Sequence, residues 1–318
     1  MSAANQTAVL LLAHGSPDRP EDVPEFLLHV TGGRALPAEA VAEIQRRYAR
    51  IGRSPLTEIT VLQAALLARN LALPVYVGMR NWNPFIADAL RQMAADGVRS
   101  VVALCLAPQN SRTSVGLYRQ AAMNEGGPRF ERFEFVESWH DHPLLIRAFA
   151  ERLESGWKRA CDEFGARMPI LFTAHSVPAR TILDGDSYEA QARETAALVS
   201  MALPALTVDD WTFAFQSQGI SGGPWLGPTV EDTILSLRNK GHRAVFLQPV
   251  GFLCDHVEVL YDIDVVFREF AARQGMVLWR AGSLNDSPTL IAALADVARS
   301  RLEPEGPAKP LVQIAKPQ

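Results

Sequence analysis

A chain of 318 residues with 48% hydrophobic and 21% charged side chains is long enough for two domains of ordinary size and can bury a core without covalent staples. A formal net charge of −4 and the lack of any long basic run exclude the electrostatic footprint of a nucleic-acid binder and give no reason to expect an anionic membrane surface as partner. Cys105, Cys161 and Cys254 lie far apart and form no C-x-x-C pair, so they offer no zinc site and too few thiolates for a standard iron–sulfur cluster; they are expected as buried apolar side chains.

Taken in chain order, the first seven residues carry no positive segment, and the apolar run Ala8 to Ala13 is too short for a signal sequence. Every apolar stretch is strand-sized, so no integral membrane segment is expected and a cytoplasmic, monomeric protein is. Val9 to Ala13 reads as a strand buried on both faces, ending in His14-Gly15-Ser16-Pro17. Segment 18–40 is polar and turn-rich and suits a loop or lid. Pro84 to Asp88 opens a helix that Gly97 ends, and a buried strand through Val101 follows. After it come Pro108 and then Leu117-Tyr118.

The second half repeats this plan. Ile170 to Ala174 is a buried strand ending in His175-Ser176-Val177-Pro178, and segment 179–190 again suits a loop or lid. Trp211 to Phe215 is a strand followed by a Gly-rich loop through Thr229, in which Gly222, Gly223 and Gly227 could bring backbone close to a flat ligand. Pro228 to Asp232 and Gly241 to Val245 then echo Pro84 to Asp88 and Gly97 to Val101 at a constant offset of 144 residues (228 − 84, 241 − 97). Trp82 and Trp225 fall at matching places. Pro249 and Leu260-Tyr261 complete the echo. The expectation is an α/β protein of two similar halves, each a parallel sheet wrapped by helices. The first domain would span 1–145, completed by a C-terminal helix 286–302. The second would span 146–285, and 303–318 would be a disordered tail. Ligands of open α/β sheets bind outside the carboxyl ends of the strands, which puts the loops at His14, Pro108, His175 and Pro249 around one cleft.

A helix beginning near Asp255 would carry Asp255, Glu258 and Asp262 on one face. Three like charges gain nothing on an ordinary surface, but along a cleft they offer carboxylates to a metal ion or to protons. The plain alternative is that Asp255 caps the helix and Asp262 is solvated. His175, at a strand end, could be a ligand, a base or a turn cap. No G-x-S-x-G elbow, phosphate loop or H-E-x-x-H occurs.

Together, Ala174-His175-Ser176-Val177-Pro178, Trp225-Leu226-Gly227-Pro228 and Asp255-His256-Val257-Glu258-Val259-Leu260-Tyr261-Asp262 resemble the ferrochelatases in order and spacing. The likeness includes Ala13-His14-Gly15-Ser16-Pro17, Arg47-Tyr48 and Ile51-Gly52-Arg53-Ser54-Pro55-Leu56. Pro249-Val250-Gly251-Phe252 and Glu258 to Asp262 are more similar to the soluble, coproporphyrin-using bacterial branch than to the membrane-associated one. The resemblance implies two Rossmann-like domains with a porphyrin in the cleft between them, and insertion of Fe²⁺ into that ring, coproporphyrin III being favoured, in haem biosynthesis. It implies that His175 and Glu258 are the catalytic pair. Chemically, His175 would be a neutral proton acceptor and first metal contact, Glu258 its partner, and Asp262 the next stop for metal or proton. His14 stands where several relatives carry a Tyr that ligates product iron. Arg47, Tyr48, Ser54 and Tyr118 match porphyrin contacts, with Arg47 and Ser54 candidates for propionates. Relatives differ in having His at Asn81, an acidic residue at Val266, and basic residues near Thr31 and Gly32, where only Arg34 stands nearby. No cofactor beyond substrate iron is implied, and a haem-accepting partner is possible. Two other readings are a chelatase for sirohydrochlorin, with cobalt or iron, and a haem-binding or haem-delivery protein without catalysis.

Overall fold

The computed structural model describes residues 6–124, 126–219 and 223–302. Four strands, β1 (Thr7–Ala13), β2 (Val75–Met79), β3 (Ser100–Cys105) and β4 (Arg132–Val136), form a sheet in the order β2-β1-β3-β4. Another four, β5 (Ile170–His175), β6 (Trp211–Gln216), β7 (Ala244–Pro249) and β8 (Val277–Arg280), repeat that order as β6-β5-β7-β8. Every pairing within both sheets is parallel. Parallel strands are covered on both faces, which is why β1 carries the unbroken run Leu10-Leu11-Leu12 instead of alternating.

The helices α1 (Val23–Val30), α2 (Ala38–Ile51) and α3 (Leu56–Leu71) connect β1 to β2; α4 (Ile86–Ala95) and α5 (Val115–Ala122) make the next two crossovers. The long α6 (Pro143–Phe164) leads into the second sheet, where α7 (Ala179–Leu183), α8 (Tyr188–Met201) and α9 (Val230–Asn239) follow. Between β7 and β8 lie α10 (Val257–Leu260), a π-helical stretch Asp262–Phe267 and α11 (Arg268–Arg273); α12 (Pro288–Leu302) comes last and packs on α3, α6 and β3. One contiguous core holds the two sheets together: Val9 and Leu11 of β1, Leu67 of α3, Phe149 and Leu153 of α6, Phe172 of β5, Phe246 of β7, and Leu290 and Leu294 of α12. Each fully buried Leu or Phe of this kind contributes about 1.5–3 kcal/mol. The opposite faces are closed separately, by Leu90, Met93 and Tyr118 over β1 and β3, and by Ile234 and Ile263 over β5 and β7.

The expected loops are largely helical. Segment 18–40 holds a 3-10 turn, α1 and the start of α2. Val23, Phe26, Leu27 and Val30 form an apolar stripe at helical spacing within the polar stretch, and they pack with Tyr48 and Trp82 in a small core that also touches Val257. Segment 179–190 is α7 and the first turn of α8, anchored by buried Thr181 and Tyr188. The tail 303–318 and Gly222 lie outside the described residues.

Candidate active site

The carboxyl ends of β1 and β5 each carry a histidine, and the charge of Glu258 is felt at both. His14 follows β1, where Gly15 takes φ +85° and a Cβ on it would meet the Trp82 backbone nitrogen at 2.8 Å, so no other residue fits beneath the turn. The His14 Nδ1–H donates to the Gly15 carbonyl at 3.0 Å, and Nε2 accepts from the Asn81 amide at 3.0 Å. Desolvation by the surrounding protein, then the positive charge of Arg80, lower its pKa to about 4 even though the residue reaches solvent, which favours the neutral ring. Asn81 is itself buried.

His175 ends β5, and the Tyr188 hydroxyl donates to its carbonyl at 2.9 Å. Its ring stands edge-on to Phe252, and its Nδ1–H donates to the Ser176 carbonyl. That leaves Nε2 directed at Glu258 Oε1, 3.5 Å away, with both side chains about a third exposed to the cleft (33% and 36%). Burial opposes the imidazolium, but the Glu258 carboxylate overrides it and raises the His175 pKa to about 9. Burial likewise opposes ionisation of Glu258, and the charge of His175 outweighs it, lowering Glu258 to about 2. Each partner thus favours the charged form of the other, and the two titrate as a coupled pair.

Glu258 sits in the first turn of α10, which begins at Val257, two residues later than expected. His256 is its N-cap, with Nδ1 accepting the Glu258 backbone N–H at 3.2 Å. Asp255 consequently lies before the helix and off the Glu258 face. It is held by Ser283 at 2.7 Å, Asn285 at 2.9 Å and Arg280 at 3.3 Å, which corrects the three-carboxylate face drawn from spacing. Asp262 does remain beside Glu258, one turn on. Burial raises its pKa to about 6, with Glu258 adding to the rise and the Ser217 hydroxyl bond opposing it. Among the described residues no three His, Cys, Asp or Glu side chains form a ready metal cage.

The other expected contacts are distributed as follows. Arg47 is partly engaged: its Nε donates to Glu43 at 3.3 Å, Nη1 is 3.9 Å from Asp262, and the guanidinium lies 5.5 Å from the Tyr261 ring centroid. The Tyr48 hydroxyl is buried against Ser16 at 3.2 Å. Ser54 is buried with its hydroxyl unpartnered. Tyr118 is in the core beneath Arg80, 6.0 Å from the guanidinium. Spacing overlooked Ser217, which binds Asp262, and Arg80. Both immediately follow strand ends, β6 and β2, so the rule that singled out His14 and His175 would have found them had it been applied to every strand.

With this geometry in hand, comparison with known proteins is decisive. The family model described as Ferrochelatase matches residues 6–302. The chain belongs to the ferrochelatase family. Its curated relatives include a ferrochelatase of Acidobacterium capsulatum, 53% identical over 94% of this chain and 95% of that protein. They also include a ferrochelatase of Deinococcus radiodurans, 37% identical over 91% and 94%. A coproporphyrin III ferrochelatase of a Geobacillus species is 33% identical over 95% and 99%. Membership of this family makes the protein a metal-inserting chelatase. Among solved structures, the SirB chelatase of Bacillus subtilis with Fe³⁺ superposes with a TM-score of 0.55 at 10% identity, covering 93% of this chain and 95% of that one. The chelatase CbiX of denitrifying bacteria gives 0.54 at 15% identity over 93% and 99%. At that identity the likeness establishes the chelatase fold and says nothing of substrate.

Proposed function

We propose that this ferrochelatase inserts Fe²⁺ into coproporphyrin III in the cleft between His14 and the His175–Glu258 pair. The observation that carries the reading is the pair itself: an imidazole nitrogen and a carboxylate oxygen 3.5 Å apart, both part-exposed, at a parallel-strand end, with a second histidine close enough for its charge to act on Glu258. Metallation releases two pyrrole protons and replaces the water around Fe²⁺. His175 Nε2 is a borderline ligand suited to Fe²⁺, and Glu258 supplies a hard oxygen beside it. Because Glu258 raises the proton affinity of Nε2, metal and proton compete for it, and a proton held there has to leave as iron arrives. Asp262, ionised above about pH 6, is the nearest acceptor outward, with Ser217 and Arg47 beside it. A rigid cleft that favours a bent ring exposes the nitrogen lone pairs to the metal and lowers the barrier.

Three features support a tetra-acid porphyrin. Ser54 presents a buried hydroxyl with no partner, and Arg47 stands 3.9 Å from Asp262. The relatives at 32–34% identity carry the name coproporphyrin III ferrochelatase. A water-soluble substrate also fits a monomer working in the cytoplasm and passing haem to an acceptor. An anaerobic Fe²⁺ assay with coproporphyrin III and protoporphyrin IX side by side tests the choice. A kcat/KM ratio above one, coproporphyrin over protoporphyrin, is expected; a ratio of one or less refutes it.

A further inference from the structure

Arg80 differs from the arginines around it. Arg47 meets Glu43, Arg119 donates to Glu137 at 2.6 Å, and Arg280 binds Asp264 at 2.7 Å. Arg80 makes no ion pair among the described residues; it lies over the Tyr118 ring, and its Nε is buried without a hydrogen-bond partner. Its backbone N–H donates to Ala13 at 3.0 Å, which seats it next to His14 at the cleft end of the first sheet.

A half-buried cation with no counter-charge is costly, and the usual remedy is a carboxylate or phosphate brought by a ligand. Burial lowers the Arg80 pKa, as expected of a charge without a partner, and the same charge is felt at His14. Space for a ligand arm is present: Arg80 borders a cavity of about 740 Å³ walled by α5, with Leu117, Gln120 and Asn124 along it. No acidic side chain lines that cavity. The guanidinium lies 6.0 Å from the Tyr118 ring centroid, a loose cation–π contact that leaves its planar fork free to make two parallel bonds to one carboxylate. Arg119 also lines the cavity, but it is engaged by Glu137, which leaves Arg80 as the arginine there without an acidic partner among the described residues.

We propose that Arg80 binds a carboxylate of the tetrapyrrole, and that the cavity beside α5 receives that carboxylate arm. The inference rests on the porphyrin reading above and adds a binding residue to it. Equilibrium binding of metal-free porphyrin, followed by fluorescence, tests it without iron or turnover. The probes are coproporphyrin III and its tetramethyl ester in the same detergent, against wild type, Arg80→Gln and Arg80→Lys. A lost charge-assisted bidentate contact should weaken coproporphyrin binding about ten- to a hundredfold in Arg80→Gln. Arg80→Lys, which keeps the charge without the fork and guards against misfolding of the glutamine variant, should fall between. The ester should bind all three proteins within about twofold. Equal affinity of wild type and both variants for coproporphyrin III overturns the assignment while leaving the porphyrin reading intact. An equal loss for acid and ester also overturns it, since Arg80 would then act by packing. Failure of the wild type to bind either porphyrin overturns both.

Discussion

Replacing Glu258 by glutamine removes one charge, keeps the volume and leaves an oxygen to accept from His175 Nε2. In the wild type that charge holds the imidazole near 9, against the ordinary 6.5. With the carboxylate gone, burial acts with far less opposition and the imidazole should drop towards its ordinary range. The ring is a third exposed, so solvent screens part of the effect; discounting it by about half still leaves more than a tenfold loss of proton affinity. The assay is a pH titration of labelled histidine by NMR, with His175→Gln to assign the resonance among seven histidines. Iron insertion in Glu258→Gln should fall about a hundredfold or more, because the glutamine oxygen is neither an anionic ligand nor a proton acceptor. Stability gives an independent sign. The folded value of His175 lies above the unfolded one, so its contribution is complete below about 6.5 and disappears as pH rises through about 9. That of Glu258 lies below the unfolded one, so its contribution is present above about 4.5 and disappears as pH falls through about 2. Wild type should therefore exceed the variant in stability most between about pH 4.5 and 6.5. A His175 titration that does not move, with near-normal turnover, would refute the reasoning.

Asp262 has the opposite linkage: its folded value, about 6, exceeds the unfolded one, so ionisation destabilises the fold as pH rises through that range. Asp262→Asn should gain about 1–2 kcal/mol in urea unfolding at pH 8, gain nothing at pH 3, and lose activity; a loss of stability at pH 8 would contradict the burial argument. Because metal displaces a proton from His175, kcat/KM of the wild type should rise between pH 7 and 9, and a flat profile in that range would count against the competition. Iron can reach His14 Nε2 only by displacing the Asn81 amide, so His14→Ala should change the absorption spectrum of the haem complex, and Asn81→Ala should tighten haem binding up to about tenfold. Superimposable spectra of wild type and His14→Ala would make His14 structural.

Much of the site could be read from order along the chain. The duplicated Ala-His at strand ends, the offset echo and the runs of apolar residues follow from local physics: parallel strands are covered on both faces, and their carboxyl ends open on the cleft. Hence the two repeated sheets, and the meeting of His175 with Glu258, whose separation of 83 residues in sequence (258 − 175) becomes 3.5 Å. What tertiary structure alone decided depends on partners remote in sequence. Asp255 left the carboxylate face because Arg280, Ser283 and Asn285 hold it, and His256 rather than Asp255 caps the helix. The protonation state of His175 was likewise invisible in spacing, since it is set by how far burial and a carboxylate on another element oppose each other. Arg80 and Asn81 can be marked in the sequence by their place after a strand, but only the fold leaves the Arg80 Nε buried without a partner and aims the Asn81 amide at a histidine nitrogen.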